Sequence, residues 1–161
     1  MDINFPVLLL SALITLPMGF IWYHPRVFGN AWMKVSGVTD EMIKSSNLLK
    51  ILLISYLFSV MITFVLQFMV VHQYSLYSLV ADNTSPEATA WLNASLAQFG
   101  GSFRTFGHGA LHGFMCGLFF ALPLIGVNSL FERKSARYIL IHAGYWIVTL
   151  MLMGGIICQF A

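Results

Sequence analysis

Four long apolar runs constrain what this chain can fold into more than any other feature. They extend over about Ile3 to Tyr23, Leu48 to Val71, Phe106 to Leu130 and Arg137 to Phe160. None of them contains an acidic residue, and basic residues occur only at their ends. About 20 apolar residues are needed for a helix to cross about 30 Å of hydrocarbon. The sequence therefore predicts an all-α, polytopic membrane protein with four transmembrane helices in a single domain, residues 1–161.

The composition of the chain supports this interpretation. Hydrophobic residues make up 58% of the sequence and charged residues only 9%. A chain of this size has no water-soluble core large enough to enclose so much apolar surface. We therefore expect membrane lipids to cover much of it.

The basic residues predict how the spans are oriented. All Lys and Arg residues except Arg104 lie in or beside the first and third connections. By the positive-inside rule these two connections are cytoplasmic, and both termini and the second connection face outward. Anionic lipid headgroups are the expected partner of the basic side, and a nucleic acid is not.

The first connection has the pattern of a short helix lying in the membrane interface. Pro25 ends the first span, and apolar residues then recur at helical spacing. Trp22, Tyr23 and Trp32 are the expected interfacial anchors, because aromatic rings with a polar edge favour headgroup depth. The alternative is an irregular loop with scattered apolar residues. Thr39 is predicted to be the N-cap of a second helix, which leads into the second span.

The second connection also predicts a short amphipathic helix. Ser85, Pro86 and Glu87 supply a cap, a proline in the first helical position and a carboxylate at the positive end of the helix dipole. The pair Gly100-Gly101 is a stop signal. We expect this helix to rest on the outer surface of the bundle.

Small residues recur every four positions along the third span and form a smooth groove for another helix. Such a groove is either an interface between subunits or a contact within the bundle. The second interpretation is favoured, since four helices must first pack against one another, and Gly144 or Gly154-Gly155 are candidate partners. The groove consists of Gly109, Gly113, Gly117 and Ala121.

Beside this groove, His108, His112 and Cys116 form a second row with the same spacing. His72 ends the second span on the outer side, so His72, His108 and His112 are predicted to gather near that surface. Imidazoles one turn apart can share a metal ion or serve as axial ligands to haem. They can equally be ordinary interfacial residues or line a proton or substrate path.

Other polar and sulfur-containing residues carry weaker signals. No carboxylate lies inside a span to complete a proton relay, which argues against an ion-driven transporter. The nine methionines are interpreted as packing filler rather than as copper ligands. Cys116 and Cys158 lie at different depths in their spans, so no disulfide is expected between them.

Several stretches resemble a known family of small bacterial membrane proteins, domain of unknown function 1761. The stretch WYHPRVFGNAWMKVSG, residues 22–37, is similar to the block that follows the family's first span. The stretches HGALHGF, LPLIGVNSLFERKS and YILIHAGYW are similar to its last two helices. The resemblance implies a compact four-helix fold in the bacterial inner membrane and supplies no catalytic residues.

The sequence gives no indication of an enzymatic function. No nucleophile with a base, phosphate-binding loop or pair of acids is present, which favours a non-enzymatic protein. The leading interpretation is a self-associating protein or an accessory subunit of a larger membrane complex. One alternative is a metal- or haem-binding protein that uses His72, His108 and His112. Another is a channel or transporter for small molecules formed by an oligomer.

Overall fold

The computed structural model describes residues 3–161, and these form helices and no β-strand. Four helical segments are long and apolar enough to cross a membrane, as the sequence predicts. Their bounds are Phe5–Trp22, Leu48–Val70, Phe106–Phe131 and Ala136–Phe160.

Twelve helical elements make up the described chain, and the first and third spans each contain more than one. In chain order the α-helices are α1 Phe5–Ala12, α2 Thr15–Trp22, α3 Asn30–Ser36, α4 Asp40–Ser45, α5 Leu48–Val70, α6 Gln73–Leu79, α7 Pro86–Phe99, α8 Phe106–Cys116, α9 Leu122–Phe131 and α10 Ala136–Phe160. Two π-helical turns, Pro25–Gly29 and Gly117–Ala121, lie before α3 and between α8 and α9.

Prolines explain where the two divided spans lose regular α-helix. α1 gives way to α2 at Leu13 and Ile14, one turn before Pro17. The π-helical turn between α8 and α9 likewise lies one turn before Pro123. A proline lacks the N–H that would bond to the carbonyl four residues earlier, and its ring clashes with that carbonyl. The regular helix is therefore disturbed on the N-terminal side of each proline.

The last helix, α10, is the centre of the bundle. It packs most extensively against α8 and also contacts α1, α5 and α9. In the most apolar part of α10, 44% of the residues are buried, against 11% for α5. The large apolar side chains of α5, such as Leu53, Phe58 and Met61, are mostly exposed. Such an apolar outer surface is suited to lipid and not to water.

The small residues of the third span account for the close approach of α8 and α10. A Cβ added to Gly109 would collide with the backbone of Gly154, and one added to Gly113 would collide with Leu150. A Cβ on Gly117 would collide with Ile147. The predicted groove is thus filled by α10 of the same chain. Ala121, the fourth member, is half-buried and packs against the apolar core.

Buried polar side chains tie the spans together. Ser59 on α5 donates to the hydroxyl of Thr15 on α2 at 2.8 Å. The hydroxyl of Tyr145 on α10 donates to the backbone carbonyl of Thr15 at 2.9 Å. The side chain of Asn4 donates to the carbonyl of Phe160 at 3.1 Å, so the start of the first span lies beside the end of the last. The two ends thus lie on the same side of the bundle, as an even number of crossings requires.

The connections contain more helix than the sequence indicates. α4 is capped by Thr39 and α7 by Ser85, at the positions predicted for helix starts. Helix α6 has no counterpart in the sequence analysis. Its N-cap residue, His72, makes no capping bond through its side chain, and the helix is only 7 residues long. It lacks the cap and the proline that reveal α7.

Candidate metal centre

Three histidine side chains converge at the end of the bundle where α5 finishes and α8 begins. The Nε2 atom of His108 lies 2.8 Å from Nε2 of His72 and 3.0 Å from Nε2 of His112. One ring nitrogen from each residue falls within 4.8 Å of the other two. His72 is exposed, and the other two are half-buried. We call these three residues the histidine cluster.

Helix α8 supplies two members of the cluster through its spacing. His108 and His112 are one turn apart, which places their side chains on the same face of the helix. Thr105 fixes where the helix begins, because its hydroxyl accepts a hydrogen bond from the backbone N–H of His108 at 3.2 Å. Gly109 lets this end of α8 approach α10 closely. The two imidazoles are therefore held by a helix that is both capped and packed.

Gln73 holds the third member in place. Its side-chain Nε2 donates to the carbonyl of Phe99 at 3.0 Å and to that of Ser102 at 2.9 Å. These bonds join the start of α6 to the end of α7 and to the loop that precedes α8, and the Gln73 side chain is buried. His72 is the next residue in the chain, so the same bonds fix it relative to His108.

Tyr74 adds a second tie at the start of α6. Its hydroxyl donates to the side-chain carbonyl of Gln67 on α5 at 3.0 Å. Burial raises the pKa of this phenol, and the charge of Arg104 opposes the shift. The group therefore stays protonated at neutral pH and remains a hydrogen-bond donor.

Phe103 packs its ring against the cluster from a strained backbone position. Its φ of 62° lies in the left-handed region, which residues other than glycine seldom adopt. The ring centroid is 4.9 Å from that of His108 and 5.9 Å from that of His72. The Phe103 carbonyl accepts a hydrogen bond from the thiol of Cys158 at 3.2 Å. The packing around the loop maintains a conformation that places an aromatic ring beside two imidazoles.

The hydrogen-bond requirements of the cluster are not met by the three rings alone. A neutral imidazole has one N–H donor and one acceptor nitrogen, and each nitrogen has a single in-plane site. The Nε2 atom of His108 nevertheless faces two other Nε2 atoms. Whether it carries a proton or a lone pair, it can satisfy only one of them well. A metal ion at the centre would accept a lone pair from all three nitrogens.

The distances are also close to those that a metal ion requires. A tetrahedral zinc ion bound at about 2.0–2.1 Å separates its nitrogen ligands by about 3.3 Å. The observed contacts of 2.8 Å and 3.0 Å would have to lengthen by only a few tenths of an ångström. The ligand nitrogens of the third pair, His72 and His112, lie within 4.8 Å of each other.

The remaining histidines and the aromatic anchors lie at the opposite end of the bundle. The hydroxyl of Tyr23 contacts Nδ1 of His142 at 3.0 Å, and the Trp32 ring lies 5.1 Å from that of Tyr23. Trp22 donates from its indole nitrogen to the carbonyl of Ile141 at 3.0 Å. His24 caps the first π-helical turn by accepting from the N–H of Arg26. These residues are packed among one another and away from the histidine cluster.

Sequence reasoning identified the histidines but not the residues that position them. The spacing of His108 and His112 is visible in the sequence, and the end of the second span indicates the depth of His72. Gln73 and Phe103 carry no comparable signal. Their roles depend on how α6 and the loop before α8 meet, which is a tertiary contact.

Comparison with known proteins supports the assignment made from the motifs. The family model described as "Protein of unknown function (DUF1761)" matches residues 7–158. No curated protein and no solved structure matches the chain. Because the match extends over nearly the whole bundle, including the histidine cluster, the chain belongs to the DUF1761 family.

Proposed function

We propose that this protein binds a transition-metal ion at the outer end of its bundle through His72, His108 and His112. The observation that supports the proposal is that Nε2 of His108 faces Nε2 of both His72 and His112, at 2.8 Å and 3.0 Å, in contacts that three neutral rings cannot all satisfy. Imidazole is a preferred ligand of zinc, copper, iron and nickel.

The geometry favours a single ion over haem. A bis-histidine haem needs its two rings on opposite faces of a wide, flat macrocycle. His108 and His112 are one turn apart on the same helix, with ring centroids 4.5 Å apart, and His72 contacts His108 directly. A macrocycle has no room to pass between these rings.

The donor set would hold an ion through three protein ligands. Among the described residues, the group of adjacent metal-ligating side chains consists of three histidines without a carboxylate. Three nitrogens leave a fourth coordination position open towards the exposed side of His72. Catalytic zinc sites share such an open position, but no carboxylate joins this group to act as a general base. We therefore propose a non-enzymatic protein that captures or holds an ion.

Removing the central nitrogen tests this proposal. His108→Ala should lower the affinity for Zn²⁺ at least 100-fold, because the two remaining rings lose the ligand that both of them face. His24→Asn is the matched control, since it removes a histidine from the opposite end and retains a capping side chain. Affinity is measured by competition with a chromophoric chelator on protein purified in detergent.

Two results of this titration would contradict the proposal. One is a wild-type protein that binds no Zn²⁺, Cu⁺ or Ni²⁺ at micromolar concentration while it is fully folded. The other is equal affinity in wild type and His108→Ala. Protons compete with metal for imidazole, so the wild-type affinity should also fall as the pH is lowered.

We propose further that the histidine cluster faces the periplasm of a bacterial inner membrane. The Lys and Arg residues of the first and third connections support this orientation. A fusion of alkaline phosphatase after Ala161 should then be active, and a fusion of green fluorescent protein at the same position should be dark. A fluorescent, phosphatase-negative pair would reverse the orientation.

The glycine groove does not supply an interface for self-association. Gly109, Gly113 and Gly117 are in contact with α10. An oligomer or a larger complex would use the lipid-facing surface of α5 or α9 instead.

A further inference from the structure

A thiol and a thioether meet one helical turn deeper than the histidine cluster. The Sγ atom of Cys116 on α8 lies 3.5 Å from the Sδ atom of Met69 on α5. Cys116 follows His112 by one turn of α8, and Met69 precedes His72 by three residues. At 1.5 Å per residue, these steps correspond to about 5 Å of depth. The two helices that carry the histidines therefore also carry a sulfur pair directly beneath them.

We propose that Cys116 and Met69 form a second site for the same ion, and that the ion is Cu⁺. This inference rests on the proposed function of the histidine cluster and specifies the metal. Thiolate and thioether sulfurs are soft ligands that select Cu⁺, whereas a thioether is a poor ligand for Zn²⁺ or Mg²⁺. Imidazole also binds copper, so the histidine cluster and the sulfur pair can hold the same ion in succession.

Charge supports a monovalent ion at the deeper site. The sulfur pair lines a cavity of about 490 Å³ whose other walls are apolar and include Met61, Phe120, Leu124 and Trp146. Several of these side chains, Met69 among them, are exposed on the outer surface of the span, which is suited to lipid. Placing an uncompensated charge in such apolar surroundings is expensive. Cu⁺ bound to one thiolate is neutral overall, whereas Zn²⁺ with the same ligand retains a positive charge.

The helix type of the third span changes at Cys116. Regular α-helix ends at Cys116, and the π-helical turn Gly117–Ala121 follows at once. Such wide turns within helices occur frequently at functional sites. The turn thus begins where the side chains change from nitrogen to sulfur ligands.

The charges and electrons of binding at the deeper site balance without a redox partner. The Cys116 thiol loses one proton to solvent as its sulfur bonds to Cu⁺, and the thioether of Met69 donates a lone pair without a change in charge. Copper remains in the +1 state throughout, so no electron donor or acceptor is needed.

The test is a Cu⁺ titration of the purified full chain under anaerobic conditions, with a chromophoric Cu⁺ chelator as competitor. Wild type should bind two equivalents, and X-ray absorption at the copper edge should show both nitrogen and sulfur neighbours. Cys116→Ser and Met69→Leu should each lose one equivalent together with the sulfur signal. Met115→Leu is the matched control, because Met115 is adjacent to Cys116 in sequence and does not line the cavity. It should bind two equivalents.

The outcomes separate this inference from the proposed function. If wild type binds one equivalent through nitrogen alone, and Cys116→Ser binds the same amount, the sulfur site is disproved and the histidine site stands. If His108→Ala retains both equivalents, the proposed function fails. Intrinsic fluorescence on heating confirms in each case that the variant is folded, and Cys116→Ser is close enough in size to the native residue to keep the packing.

Discussion

At the scale of single residues, the histidine cluster depends on side chains that do not belong to it. Gln73 ties α6 to two backbone carbonyls, that of Phe99 at the end of α7 and that of Ser102 in the loop before α8. Without these bonds, His72 would be attached to the cluster only through the end of α5. Mutation of residues that orient metal ligands typically lowers the affinity for the metal by about 10–100-fold.

Replacing Gln73 with leucine should therefore weaken metal binding without touching a ligand. We expect Gln73→Leu to lower the affinity for Zn²⁺ by about 10-fold, because the two carbonyls lose their donor and His72 loses its fixed position. The same chelator competition measures the effect. Gln159→Leu, an exposed glutamine at the same end of the bundle, is the control and should bind as wild type does. Wild-type affinity in Gln73→Leu would show that the bonds do not position His72.

At the scale of helices, the sequence predicts those features that follow from local constraints. The length and polarity of each span are set by the thickness of the bilayer, so the four spans are visible in the sequence. The caps at Thr39 and Ser85 are likewise local. Helix α6 is short and lacks a capping side chain, and its orientation is fixed by contacts that Gln73 makes far along the chain. It could not be predicted for that reason.

In the candidate sites, too, the sequence predicts what depends on local spacing and not what depends on tertiary contacts. His108 and His112 are recognisable because their spacing repeats within one helix. The sulfur pair is not, because Met69 and Cys116 are 47 residues apart and come together only when α5 and α8 pack. Methionines are abundant in apolar spans as filler, and nothing in the sequence distinguishes Met69 from the others.

The close packing of α8 on α10 leads to a prediction for the glycines. In Gly113→Ala the new methyl group would collide with the Leu150 backbone, so the two helices would have to separate. Overpacking of this kind costs about 1–3 kcal/mol, and the unfolding temperature in detergent should fall. Gly126→Ala is the control within the same span, since no atom lies within 4 Å of the added methyl group. An unchanged melting temperature for Gly113→Ala would contradict the observed packing.

At the scale of the whole molecule, the bundle has two chemically different ends. One end carries the histidine cluster, with the sulfur pair beneath it. The other carries packed aromatic residues, His142 and most of the basic side chains. Helix α10 extends between them and is the most enclosed span. This polarity fits the proposal that the protein receives an ion on one face of a membrane and contacts lipid headgroups on the other.

The most direct test of the account is X-ray absorption at the zinc edge on wild-type protein loaded with one equivalent of Zn²⁺ in detergent. The account predicts a first shell that includes three imidazole nitrogens at about 2.0–2.1 Å, with the outer-shell scattering typical of histidine rings. The imidazole contribution should fall to two rings or fewer in His108→Ala. A wild-type spectrum without imidazole scattering, or one that His108→Ala leaves unchanged, would contradict the proposal that the three histidines form a metal site.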